Sequence, residues 1–289
     1  RSGRKGSTMN GWQSGFVEAN GIRLHYWRTG GLKPPMVLAH GITDNGLCWT
    51  RLARVLAPYR DVIMVDARGH GESDKPESGY TPDDHAADLA GLIRNLKLDR
   101  PMVMGHSMGG ATVTRVAAFY PELVSAIILE DPAWRLGEPS AEDDAALAVR
   151  AAEWRRTIEQ RRGKSVAEIV AEGRLEHPTW DIEEFDWWAP AKQQVSLAVF
   201  DYVATRRNDW AELAARFRCP ALLLYGEPAL GGIITPAAAA YARQVNPLIQ
   251  PKQIAGAGHN VRRENFEDTV AAIQEFFAAV RHMQVGEYA

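Results

Sequence analysis

Apolar and polar positions divide the chain into a sheet-forming part, a helical part and a second sheet-forming part. Phe16 to Asn20 and Ile22 to Thr29 flank Asn20-Gly21, a pair that accepts the positive φ angles of a tight turn, so the two stretches predict a β-hairpin. Three short apolar runs follow, Met36 to Ala39, Val62 to Val65 and Met102 to Met104, each ahead of a helical pattern. Continuous rather than alternating apolar runs predict strands buried on both faces, and their alternation with helices predicts βα units and a mostly parallel sheet. Helices are expected near Gly46 to Leu56 and over Pro82 to Leu96, the second entered through Thr81-Pro82-Asp83-Asp84 with threonine as cap and proline at the first helical position. A further run spans Val124 to Leu129.

The alternation stops at Asp131-Pro132. From there to about Phe217 there is no strand pattern, but helical periodicity over Ala145 to Arg161, Val166 to Gly173 and Gln193 to Thr205. The βα pattern resumes at Ala221 to Tyr225 and continues through a helix at Pro236 to Val245, a short strand near Gln250 to Ile254 and a last helix from Glu264 to about His282. The expected fold class is therefore α/β, with helices on both faces of the sheet. Residues 9–131 and 218–289 form the core, and residues 132–217 are inserted as a helical cap.

Composition narrows the partners. With 289 residues and a net charge of −3, the chain can bury a large core and has no basic excess for nucleic acid or anionic lipid, so a small-molecule substrate is expected. No apolar run approaches the roughly 20 residues that cross a bilayer. Cys48 and Cys219 offer neither metal spacing nor a disulfide framework, which fits a reducing cytoplasm. The basic opening, residues 1–8, lacks an apolar stretch behind it and reads as a vector remnant ahead of Met9. Oligomeric state is left open.

The chemistry concentrates at three strand ends. Gly105-His106-Ser107-Met108-Gly109 lies between a strand run and an alanine-rich helical pattern. A serine at so tight a strand-to-helix turn needs small neighbours, and the N–H of Met108, at the start of the helix, is placed to donate to an oxyanion. Gly256-Ala-Gly258-His259-Asn260 sets an imidazole after the last strand, at the carboxyl edge where sites of parallel sheets lie. Leu38-Ala39-His40-Gly41-Ile42 ends the third strand with the N–H of Ile42 as a second oxyanion donor. His40, His70 and His106 do not match a metal motif and read as local hydrogen-bonding groups; no metal or organic cofactor is required.

Together with Val65-Asp-Ala-Arg-Gly-His-Gly-Glu-Ser73, these stretches resemble the α/β-hydrolase fold, in its capped esterase and lactonase type, over nearly everything after Gly15. The resemblance implies a serine hydrolase in which Ser107 attacks a carbonyl, His259 moves the proton and a carboxylate orients His259. Most relatives carry that acid in a Gly-x-x-Asp stretch after the seventh strand, but here Gly226-Glu-Pro-Ala229 has alanine in its place. A minority place it after the sixth, where this chain has Leu129-Glu-Asp131-Pro-Ala133. Asp131 is the expected acid, with Glu130 and Glu227 as alternatives. Trp134, Trp154, Trp180, Trp187 and Trp188 fall in the insertion; Trp134 and one of Trp187 and Trp188, which point different ways on any regular element, are candidates to line an apolar pocket. The expected reaction is hydrolysis of a small to medium apolar ester or lactone. Carbon–carbon bond hydrolysis and slow-turnover ligand reception on the same scaffold are the alternatives.

Overall fold

A computed structural model of the chain describes residues 8–9, 11–137, 140–205 and 207–286. Residues 1–7, nearly all of the segment set aside as a vector remnant, lie outside that description. The two-residue strand β1 (Thr8–Met9) pairs with β2 (Trp12–Ala19), which forms an antiparallel hairpin with β3 (Ile22–Arg28). Asn20 and Gly21 take φ angles of 49° and 77°, the conformation that lets two residues reverse the chain.

Next come β4 (Pro35–Ala39), a short 3₁₀ turn leading into α1 (Thr50–Leu56), β5 (Asp61–Val65) and α2 (Pro82–Asn95). The Thr81 side chain accepts from the Asp84 N–H while the Asp84 carboxylate accepts from the Thr81 N–H, a reciprocal cap that explains why α2 starts where the sequence places it. Then follow β6 (Met102–His106), α3 (Met108–Phe119) and β7 (Ala126–Glu130). Between β7 and the next strand lie α4 (Ala141–Arg161), α5 (Val166–Glu176), α6 (Phe185–Gln194), α7 (Asp201–Thr205) and α8 (Trp210–Ala214). The chain closes with β8 (Ala221–Tyr225), α9 (Pro236–Val245), β9 (Ile249–Gln253), α10 (Val261–Glu264) and α11 (Phe266–Gly286).

The strands form one nine-stranded sheet in the order β1-β2-β3-β5-β4-β6-β7-β8-β9, with β4 through β9 parallel to one another. Alternate residues of the central strands feed two separate cores. Val37, Ile63, Val103, Ile127 and Leu223 face α2, α3, α8 and α9, whereas Leu38, Met64, Met104, Ile128 and Leu224 face α1 and α11. That double burial is the physical reason for the unbroken apolar runs.

The helical segment differs from expectation in detail. The periodicity over Gln193 to Thr205 is broken at Val195-Ser196, where Ser196 caps a new 3₁₀ turn through its hydroxyl and donates its N–H to Gly69 C=O at 2.7 Å. Helix α6, rich in tryptophan and containing Pro190, had no clear periodic signal. This segment packs through two small clusters: one joins Ile169, Trp180, Phe185 and Trp188 to Cys48, and the other joins Ile158, Val199, Phe200 and Tyr202 to Tyr80 and Met108.

Candidate active site

Ser107 stands between β6 and α3 with φ 52° and ψ −113°, a conformation that a residue with a side chain holds only when its surroundings over-determine it. The surroundings are glycines. A methyl group on Gly105 would run into the Gly109 carbonyl, and one on Gly109 into the Ala39 carbonyl, so both positions exclude any larger residue. The Ser107 N–H donates to Glu130 C=O at 3.0 Å and ties the turn to the neighbouring strand end. Met108 begins α3, where N–H groups have no acceptor within the helix.

The structure brings Ser107, His259 and Asp131 together. His259 Nε2 lies 3.1 Å from Ser107 Oγ, and His259 Nδ1 lies 2.7 Å from Asp131 Oδ2. Because a carboxylate can only accept, the proton of the neutral ring sits on Nδ1, which leaves Nε2 free to accept from the serine hydroxyl. Asp131 is fully buried with φ 40°, and its two oxygens also accept the backbone N–H groups of Ile233 at 2.8 Å and Ile234 at 3.0 Å. The segment after β8 contributes the amides that hold Asp131, which follows β7.

Glu130 and Glu227, the alternatives to Asp131, have other partners. Glu130, also fully buried, receives the Arg262 guanidinium at 3.0 Å and the Arg262 N–H at 3.0 Å; burial raises its carboxyl pKa and the arginine opposes the rise. Glu227 accepts the Gly256 N–H at 2.7 Å and so braces the loop that carries His259 without touching the ring.

The loop after β4 forms the other side of the site. Gly41 lies against the elbow, since a methyl there would sit 3.4 Å from Ser107 Cβ and 2.8 Å from His106 Nδ1. His40 donates from Nδ1 to Gly41 C=O at 2.8 Å and accepts the Ala67 N–H at 3.0 Å, and His70 accepts the Thr43 N–H at 3.2 Å. Both rings are buried, which lowers their pKa values. His106 donates from Nε2 to the His259 carbonyl at 3.0 Å; burial lowers its pKa well below that of a free imidazole, and its Nδ1 has no hydrogen-bond partner.

Above Ser107 lies a cavity of about 390 Å³ whose wall includes Ile42 and His259 from the core and Trp154, Arg161, Trp180 and Trp188 from the helical segment. A larger cavity of about 620 Å³, between α4 and α7, is lined by none of these three residues. Two of the tryptophans singled out from sequence do not line the cavity above Ser107. Trp134 is stacked on Trp210 at 4.7 Å and belongs to the main core, because the chain leaving Asp131 turns inward before α4. Trp187 is half-buried between the α11 side of the core and the α6 cluster, on the other side of the helix from Trp188. Trp188 does line the cavity. The cavity is also less apolar than expected: Asp44, Glu176, Lys192 and Arg263 join its wall. Nothing in the helical periodicity between residues 132 and 217 tells which face looks toward Ser107, so Glu176 and Lys192 carried no sequence signal. Among the described residues, no group of three or more histidine, cysteine, aspartate or glutamate side chains is placed to hold a metal ion, and no helix is long and apolar enough to cross a membrane.

A family model described as the alpha/beta hydrolase fold matches residues 34–265. The chain belongs to the α/β hydrolases. Among curated relatives, this hydrolase is 29% identical to an N-formylmaleamate deformylase of Pseudomonas putida over 91% of its own length and 95% of the relative's. It is 31% identical to a 2-(acetamidomethylene)succinate hydrolase of Mesorhizobium japonicum, covering 87% of this chain and 91% of that one. The crystal structure of an E-2-(acetamidomethylene)succinate hydrolase superposes with a TM-score of 0.79 at 27% identity, over 92% of this chain and 99% of the other.

Proposed function

We propose that this hydrolase cleaves a small acyl compound through an acyl-enzyme on Ser107. The observation that carries the reading is the continuous path from Asp131 through His259 to Ser107, at 2.7 and 3.1 Å. His259 takes the hydroxyl proton as Ser107 attacks the carbonyl, Asp131 stabilises the imidazolium that forms, and the N–H groups of Ile42 and Met108 hold the oxyanion. His259 then gives the proton to the leaving group, and water repeats the sequence to release the acid.

Two observations favour an N-acyl substrate bearing a carboxylate over the neutral ester or lactone expected from sequence. Both curated relatives are named for hydrolysis of such compounds, formylmaleamate and (acetamidomethylene)succinate. In this chain Arg161 reaches the cavity wall from α4, with its guanidinium 5.0 Å from the centre of the Trp188 ring, where it can meet a substrate carboxylate. Its partners, Glu172 and Glu176, approach through Nε and Nη2.

The test has two arms. Ser107→Ala abolishes labelling by a fluorophosphonate while the protein stays folded; stoichiometric labelling of that variant shows the nucleophile to be elsewhere. A panel of formamides, acetamides, p-nitrophenyl esters and lactones, each with and without a carboxylate, reads the substrate. Arg161→Met raises KM for the carboxylate members alone; equal losses for neutral and anionic members refute the assigned contact.

A further inference from the structure

Lys192 of α6 lines the catalytic cavity, yet its ammonium is directed at the loop after β4. It donates to Thr43 C=O at 3.0 Å, to Thr43 Oγ1 at 3.0 Å and to Asp44 Oδ1 at 2.9 Å. An ammonium has three protons, so all three donors are engaged by two consecutive residues and none is left for a substrate. Lys192 is fully buried, and removal from water disfavours its charge; Asp44, held well below the usual carboxylate range by Arg263 and Lys192 against its own burial, keeps that charge in place.

The residue so held is strained. Thr43 has φ 69°, in the left-handed region that a β-branched residue rarely enters. Its N–H is fixed by His70, and its carbonyl and hydroxyl are fixed by Lys192. Ile42, whose N–H is proposed to hold the oxyanion, immediately precedes it. The grip is reinforced on both sides: Asn45 donates to Gln194 Oε1 at 2.8 Å, and Arg263 bridges Asp44 at 3.0 Å to Glu184 at 3.2 Å.

We infer that Lys192 is a positioning residue: from the helical segment it clamps Thr43 in its strained conformation and thereby aims the Ile42 N–H at the carbonyl oxygen under attack. The inference rests on the acyl-enzyme reading. It makes assembly of the oxyanion site depend on α6 being seated.

A neutral alkyl fluorophosphonate is the probe, because its reaction needs Ser107, His259 and the oxyanion donors but no anion-binding contact. Lys192→Met lowers the labelling rate and the kcat for p-nitrophenyl acetate by roughly 100-fold, the effect of a misplacement of about 1 Å, with KM changed little. Glycine occupies φ 69° without strain and needs no clamp, so adding Thr43→Gly to Lys192→Met returns labelling to within about tenfold of the native rate. A folded Lys192→Met protein that labels at the native rate overturns the inference, as does a double variant no faster than the single one. A double variant that remains unfolded assigns Lys192 to the stability of the buried ion network and likewise overturns it. Failure of the native protein to label at Ser107 refutes the parent reading, a result distinguishable from all of these.

Discussion

The strand ends of the sheet and the helices between β7 and β8 build opposite kinds of precision. At the strand ends the geometry lies in the backbone: Ser107, Asp131 and Thr43 all have positive φ, and Gly105 and Gly109 leave no room for a single carbon atom. In the helical segment it lies in side chains. Most of α4 is exposed, and α4 to α7 are joined to the core by two small clusters and by the ion pairs of Lys192 with Asp44 and of Arg263 with Glu184. The first region tolerates almost no change and is suited to chemistry that never varies. The second can exchange a tryptophan or an arginine without disturbing a strand, which suits it to choosing what the chemistry acts on.

The sharpest way to test this division is at the acid. Asp131→Asn is expected to lower kcat on the order of 10⁴-fold, since an amide can donate to Nδ1 and stabilise the wrong ring tautomer. Glu227→Gln, which removes only a brace of the His259 loop, has a much smaller effect. Steady-state kinetics on folded variants decides, and a near-native Asp131→Asn enzyme breaks the assignment.

Packing gives the next largest contrast. Gly109→Ala drives a methyl into the Ala39 carbonyl and should abolish soluble expression, whereas Ala148→Ser on exposed α4 leaves the melting temperature unchanged. Among tryptophans, Trp134→Ala destabilises by about 3–5 kcal/mol with KM unaltered, as expected for a stacked core residue. Trp154→Ala, at 38% exposure on the cavity wall, does the reverse. Urea melts paired with KM measurements separate the two; a shift of KM in Trp134→Ala contradicts its placement.

These outcomes also explain what the chain reveals before it is folded. Gly105-x-Ser107-x-Gly109 and Gly256-x-Gly258-His259 are legible because steric exclusion at the turns leaves a residue-type trace. The contact of Asp131 with His259 was legible for a different reason, an alanine at 229 beyond one strand and an aspartate at 131 after its neighbour. Arg161, Lys192 and Arg263 left no such trace. Their roles depend on which helix face meets the cavity, and a long polar side chain reads the same on a solvated face as over a nucleophile. Trp134 misled for the same reason, since a tryptophan's bulk says that it is buried but not against what.

The last prediction concerns acid stability. Burial holds His85 down to about 3 and His177 down to about 4, and lowers His40, His70 and His106 as well. Each is neutral in the fold and takes a proton near 6.5 when unfolded, so the unfolded chain binds more protons in that window. Stability is therefore full above pH 6.5 and declines as pH falls toward 4, by up to ~1.4 kcal/mol per unit for each fully buried ring. His85→Gln should flatten this decline in urea melts between pH 7 and 5; an unchanged slope shows that His85 does not contribute.

One edge of the His106 imidazole abuts the loop after β4, while the other grips the loop that carries His259. His106 touches Gly41 on one side and holds the His259 carbonyl on the other. The ring is thus a spacer between the loop after β4 and the loop that carries His259. A thinner side chain at this position lets the jaws close, and a thicker one forces them apart.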